Sequence, residues 1–226
     1  MVRLLRAAFE IVYRMLSRRE LLGAENIPAS GGCLLVINHM SIVDAPLIFT
    51  LVKHPRMAGF VATKYRRSLF LRWLLNHTGV IWVRRGEADR TALKAALKAL
   101  REGVMLGVAP EGTRSRNGSL QLAKAGIAFL ATNANVPIVP AVVINTDRAF
   151  AELRRLRRPL LKLIIGPPFR LPPLRPGQRS AQLRMHTEEI MLRLAALLPY
   201  RHRGVYGKHP RLAEFLEGDG EARPRR

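Results

Sequence analysis

Cysteine, acidic residues, aromatic rings and long apolar runs are all scarce in this chain, and each scarcity excludes a class of protein. Cys33 is the only cysteine, so no disulfide can form within the chain, and its place in the apolar run 33–37 predicts a buried, inert thiol. Only 16 acidic residues face 38 basic ones, a formal net charge of +22. Such a field draws nucleic acid, anionic lipid or an acidic carrier protein and does not by itself choose among them. Aromatics make up 6% of the chain, few rings to stack on bases, and there is neither zinc spacing nor an aromatic-rich RNA-binding signature. The charge is therefore the only support for a specific nucleic-acid binder. No apolar run approaches the roughly 18 residues of a membrane span, and the N-terminus lacks a signal peptide's apolar core and cleavage site. His54, His77, His186, His202 and His209 share no ligand spacing with one another or with Cys33, so no metal site is expected. Gly-x-Ser-x-Gly is absent too, which removes the usual serine-hydrolase elbow.

What is present is a basic N-terminus followed by alternating short apolar runs and helical stretches. Over residues 2–19, Arg3, Arg6, Glu10, Arg14 and Arg18 recur at steps of three and four, and Leu5, Phe9, Val12 and Leu16 do so on another face. That spacing predicts a basic amphipathic helix, suited either to an anionic bilayer surface or to packing on a core. Strands are expected at 33–38, 59–62, 80–84, 105–109, 137–144 and 161–165. Helices are expected at 42–51, around 67–76, after Asp89, at 124–132 and at about 180–198. The fold class is α/β, a mixed central sheet flanked by helices with the amphipathic helix at its N-terminus. Residues 1–20 are read as that helix, 21–213 as the α/β domain and 214–226 as a disordered polar tail.

Two segments carry chemistry. In Asn38-His39-Met40-Ser41-Ile42-Val43-Asp44 a histidine ends a strand and an aspartate enters the next helix, so the chain can turn the carboxylate back onto the ring. His39 is then a general base and Asp44 the group that fixes its tautomer and stabilises the imidazolium. Asn38 and Ser41 are candidate caps or supporting groups. An isolated His-x4-Asp is, in most chains, only a capping cluster beside a surface histidine. Ser41 as a nucleophile is disfavoured, because it lies two residues after His39 on the same turn. The second segment is Pro110-Glu111-Gly112-Thr113-Arg114-Ser115, which also follows an apolar strand. Gly112 permits close backbone approach, Arg114 can grip a phosphate through paired donors, and Glu111 can hold an arginine or bind an acceptor hydroxyl.

Together and in this order, the two segments resemble the glycerolipid acyltransferase superfamily, whose best-known members are the 1-acylglycerol-3-phosphate acyltransferases. The resemblance runs from about Leu21 to Ile144. It implies acyl transfer from an acyl-CoA or acyl-carrier-protein thioester to the hydroxyl of a lysophospholipid such as 1-acylglycerol-3-phosphate, giving phosphatidic acid. It implies no covalent acyl-enzyme, no cofactor beyond the thioester co-substrate, and a peripheral position on the cytoplasmic face of the membrane. By resemblance, Glu111, Gly112, Thr113 and Arg114 bind substrate phosphate. Gly79-Val80-Ile81-Trp82-Val83-Arg84-Arg85 matches a family segment that assigns a phosphate ligand to Arg85, and Lys64 stands where the family commonly has a basic residue. Lys124-Ala125-Gly126 and Val136-Pro137-Ile138-Val139-Pro140 match the remaining blocks. Ala109 replaces the usual phenylalanine, and Arg84 replaces an acidic or small polar residue, which leaves open another lysophospholipid or an amino-acid lipid as acceptor. Beyond the resemblance, Arg154, Arg155, Arg157 and Arg158 with Lys162 form a dense basic cluster suited to solvent, anionic lipid or an acyl carrier protein.

Overall fold

The strand sequences with the most continuous apolar character form the middle of the sheet. In the computed structural model, which describes residues 1–84, 86, 89–115 and 117–216, every residue of Cys33–Ile37 and of Ile138–Ile144 is buried. Such runs belong to strands covered on both faces. In chain order the elements are α1 (Val2–Leu16), β1 (Arg18–Leu22), β2 (Cys33–Ile37), α2 (Asp44–Leu51), β3 (Met57–Ala62), α3 (Leu69–Asn76), β4 (Val80–Val83), α4 (Arg90–Arg101), β5 (Met105–Val108), α5 (Gly126–Ala134), β6 (Ile138–Ile144), α6 (Ala149–Arg154), β7 (Leu160–Ile165), α7 (Arg179–Leu197) and α8 (Ala213–Leu216).

The 7-stranded sheet has the order β1-β7-β6-β2-β5-β3-β4. Strands β6, β2, β5, β3 and β4 run parallel, β7 is antiparallel to β6, and β1 is parallel to β7. This is the mixed α/β sheet that the alternating pattern predicts. Because side chains alternate along a strand, β2 sends Leu34 and Val36 to one layer with α4, α5 and α7, and Cys33, Leu35 and Ile37 to the other with α1 and α2. Burial pushes the Cys33 thiol up to about 12, so it is a packing group.

The N-terminal expectation needs two corrections. The helix ends at Leu16, where Ser17 is extended and its hydroxyl donates to Tyr13 O at 2.7 Å. Residues 18–22 are instead an edge strand paired with β7, a choice made by tertiary pairing that local propensity does not foretell. The face also differs. Tyr13 is buried, with Leu5 and Phe9 half-buried, and Phe9 meets Phe49 of α2 edge-on at 6.3 Å. Val12 and Leu16 are exposed together with Leu4, Ile11 and Met15. Arg6 turns inward over the Phe49 ring at 4.9 Å. Lys162, grouped by sequence with the basic cluster, pairs with Glu20 across β7 and β1 at 2.7 Å. The expected tail falls mostly at 217–226, outside the described residues, while Ala213–Leu216 is a helical turn.

Candidate active site

The register of two neighbouring strands brings the two motifs together. Val36 of β2 pairs with Val108 of β5, and His39 and Glu111 each follow three residues later, so both emerge side by side at the carboxyl end of the sheet. That edge is where open α/β sheets hold ligands. The Ser115 N–H donates to His39 O at 2.7 Å, which stitches the second motif to the first.

Asp44 is fully buried, and its Oδ2 lies 2.7 Å from His39 Nδ1. The same oxygen accepts the N–H groups of Met40 and Ser41, both at 2.8 Å. These are charge-assisted bonds to one carboxylate oxygen, and they close the turn that sequence spacing implied. With Nδ1–H given to Asp44, the neutral ring presents Nε2 as its basic nitrogen. The His39 side chain keeps 19% exposure, so a substrate hydroxyl can reach it.

Asn38 is not a cap. Its Nδ2 donates to Val143 O at 3.0 Å, and its Oδ1 accepts from Val143 N–H at 2.8 Å. A side chain thus continues the β2–β6 ladder by one step and sets where the His39 turn begins. Val43, one residue before α2, is held from outside the motif: the Tyr13 hydroxyl of α1 donates to its carbonyl at 2.6 Å. Burial, and then the charge on Asp44, raise the Tyr13 pKa.

Glu111 is buried and contacts no arginine among the described residues. Its Oε2 accepts the Gln121 N–H at 3.0 Å, and its Oε1 has no hydrogen-bond partner among the described residues. Burial raises its pKa, partly offset by the backbone N–H groups of Gln121 and His39 and by the nearby imidazole. For a carboxyl raised on folding, the stability penalty is absent below the unfolded value of 4.5, grows as pH rises from there to the folded value, and is constant above it. Glu111→Gln is therefore expected to flatten the fall in Tm that begins near pH 4.5 and to raise Tm at neutral pH, while impairing turnover. A thermal melt series across pH checks it; an unchanged pH profile would contradict a buried, ionising Glu111.

Gly112 has φ 71, and a Cβ there would meet the Lys124 Cε at 3.2 Å. The left-handed turn favours glycine there, while the flexible end of Lys124 can give way. Thr113 and Arg114 are exposed on the turn. Lys64 is exposed on the short helical segment after β3, 5.2 Å from the Tyr65 ring. Arg84 pairs with Asp89 at 3.7 Å, and Arg85 lies outside the described residues. The structure thus joins His39 and Asp44 through a direct contact, sets Glu111 at the end of the adjoining strand beside them, and sets Lys64 at the end of the next strand.

Sequence reading missed the grip on the loop that follows. His202 Nδ1 donates to Gly118 O at 2.5 Å, Leu120 N–H donates to His202 O at 3.0 Å, and the Tyr206 hydroxyl accepts from Ala123 N–H at 3.4 Å. Gly204 packs so closely that a Cβ would fall 1.9 Å from Leu120 O. A separation of 84 residues carries no local signal.

A sequence model for acyltransferases matches residues 18–144, a span containing His39, Asp44 and the turn at 111–114. The chain belongs to the acyltransferase family. The 1-acyl-sn-glycerol-3-phosphate acyltransferase of Borreliella burgdorferi is 34% identical over 133 residues, which are 58% of this chain and 52% of that protein. The human 1-acyl-sn-glycerol-3-phosphate acyltransferase alpha is 33% identical over 145 residues, 61% of this chain and 50% of that one. This family member spans about half the length of these curated relatives. In fold it is similar to the crystal structure of the 1-acyl-sn-glycerophosphate (LPA) acyltransferase PlsC from Thermotoga maritima, with a TM-score of 0.64 and 24% identity over 84% of this chain and 76% of that one. The loop grip formed by residues 202–206 and the arginine cluster at 154–158 both lie beyond the matched acyltransferase segment.

Proposed function

We propose that the protein transfers a fatty acyl group from an acyl-CoA or acyl-carrier-protein thioester to the free hydroxyl of 1-acylglycerol-3-phosphate, giving phosphatidic acid. The observation that carries this reading is the 2.7 Å contact of His39 Nδ1 with buried Asp44, beside the turn bearing Arg114. His39 Nε2 removes the hydroxyl proton as the oxygen attacks the thioester carbonyl carbon. Backbone N–H groups of the two turns receive the oxyanion, and the tetrahedral intermediate collapses as the C–S bond breaks. The imidazolium returns its proton to the departing thiolate, leaving ester and free thiol. A thioester is already activated, so one base and one oxyanion site suffice, without a covalent acyl-enzyme. Arg85 and Arg114, with Lys64, bind the acceptor phosphate, and Glu111, Gly112 and Thr113 shape that site. The names of the relatives support the acceptor.

We place the protein peripherally on the cytoplasmic face of a membrane rich in anionic lipid. Among the described residues no helix is long and apolar enough to cross a membrane, and the outward side of α1 exposes Leu4 by 71% and Met15 by 69%, suited to the headgroup boundary. Mass spectrometry of products from a panel of acceptors tests the substrate. Phosphatidic acid formed from 1-acylglycerol-3-phosphate is expected; acylation confined to another lysophospholipid or an amino-acid lipid would reassign the acceptor, which Ala109 and Arg84 bear on.

A further inference from the structure

The end of α6 is built against its own stability. Leu156 N–H donates to Leu153 O at 2.9 Å, and Arg157 N–H to Glu152 O at 3.0 Å, the paired bonds of a Schellman helix end. The residue between them must take a left-handed backbone, and glycine is the usual occupant. Here it is leucine, with φ 56 and 96% exposure. A leucine accepts a steric penalty in that conformation and recovers nothing from packing, because nothing among the described residues covers it.

Its neighbours supply charge. Arg154 and Arg157 are exposed and have no carboxylate partner among the described residues, while Arg155 reaches Glu152 at 3.7 Å. Arg158 Nη2 donates to Arg14 O at 2.5 Å and to Ser17 O at 3.0 Å, clasping the loop to the last turn of α1. That turn exposes Met15 by 69% and Leu16 by 47%. The clasp lies at the carboxyl edge of the parallel strands, since Arg18 and Leu160 pair where β6 ends.

We infer that the loop Arg154–Arg158 is a second membrane-docking element, which inserts Leu156 into the acyl boundary of an anionic bilayer and sets Arg154, Arg155 and Arg157 at the lipid phosphates. The inference deepens the membrane placement proposed above and rests on it. Apolar tips ringed by guanidinium groups match the headgroup region in depth and sign. Pairing with an acidic protein would use the arginines, whereas the bilayer takes both the arginines and the uncovered leucine. Together, α1 and the loop give two points of contact and thereby fix how the site faces the lipid.

Co-sedimentation of the full chain with phosphatidylcholine vesicles, with and without phosphatidylglycerol, tests this. Leu156→Gly should lower partitioning about tenfold and yet raise Tm, because it relieves the left-handed leucine. Leu156→Asn should lower partitioning at least as much, because its amide is costly to insert, and raise Tm more weakly. Arg154→Gln and Arg157→Gln should each cost about fivefold on phosphatidylglycerol vesicles only. Wild-type partitioning by all four variants, alongside loss in Ile11→Ser/Met15→Ser, would overturn the loop and leave α1 as the membrane element. Failure of the wild type to bind any vesicle would overturn the membrane placement itself. Loop variants that bind vesicles normally but lose affinity for acyl carrier protein would overturn the inference in favour of a protein partner.

Discussion

Asp44→Ala is expected to slow turnover by about 10⁴-fold, and Asp44→Asn by only about 10²-fold. The gap follows from what surrounds the carboxylate. Oδ2 receives three donors, His39 Nδ1 and the N–H groups of Met40 and Ser41. In Asp44→Asn, two fixed backbone donors force the amide oxygen into that position, because an amide N–H there would face two other N–H groups. The ring tautomer is kept and only the charge that stabilises the imidazolium is lost. In Asp44→Ala the tautomer, the ring orientation and the turn are all released, and two buried N–H groups lose their acceptor. Steady-state kcat for both variants, with thermal melts to establish folding, checks the pair. Equal losses in the two would mean that geometry is not what Asp44 contributes beyond charge; wild-type turnover in Asp44→Asn would mean that its charge is not used.

Asn38→Ala should be the most destabilising polar substitution near the site, lowering stability by about 4 kcal/mol and Tm by roughly 8–16 °C. Val143 is fully buried, and both of its backbone groups are satisfied by the one Asn38 side chain. Truncation leaves a donor and an acceptor with no water to replace it, where each orphaned group typically costs about 1–3 kcal/mol. Turnover should also fall, since the bond sets where the strand stops and the His39 turn starts. Denaturant unfolding measures the loss; a change below about 1 kcal/mol would show that the extra ladder step is not maintained in solution.

The contrast between Asp44 and Asn38 shows what a sequence makes legible. The Asp44 contact is local: a strand, a turn of four residues and a helix start leave the carboxylate few places to go. The Asn38 contact spans 105 residues, and capping chemistry, the local reading of an asparagine near a helix, pointed elsewhere. The same division runs through the fold. The central strands were legible because continuous apolar runs bounded by turns have one reading. β1 was not, because Arg-Arg-Glu-Leu-Leu becomes a strand only through β7. Helix α1 was legible by its period, but which apolar residues face inward depends on Phe49 and Val43, so the single stripe expected for Leu5, Phe9, Val12 and Leu16 divides, the first two turned inward and the last two outward. Juxtaposition of His39 and Glu111 was implied by two strand ends; their adjacency required the β2–β5 pairing. The grip by His202 and Tyr206 had no local signal.

Release of free thiol from acyl-CoA and acyl-carrier-protein donors, with and without 1-acylglycerol-3-phosphate, comparing wild type with His39→Ala, tests the central claim most directly. Thiol release that depends on the acceptor and falls at least about 10²- to 10⁴-fold in a folded His39→Ala protein is the predicted result. Equal release by wild type and His39→Ala would contradict the base assigned to His39, and equal release with and without acceptor would make the protein a thioesterase.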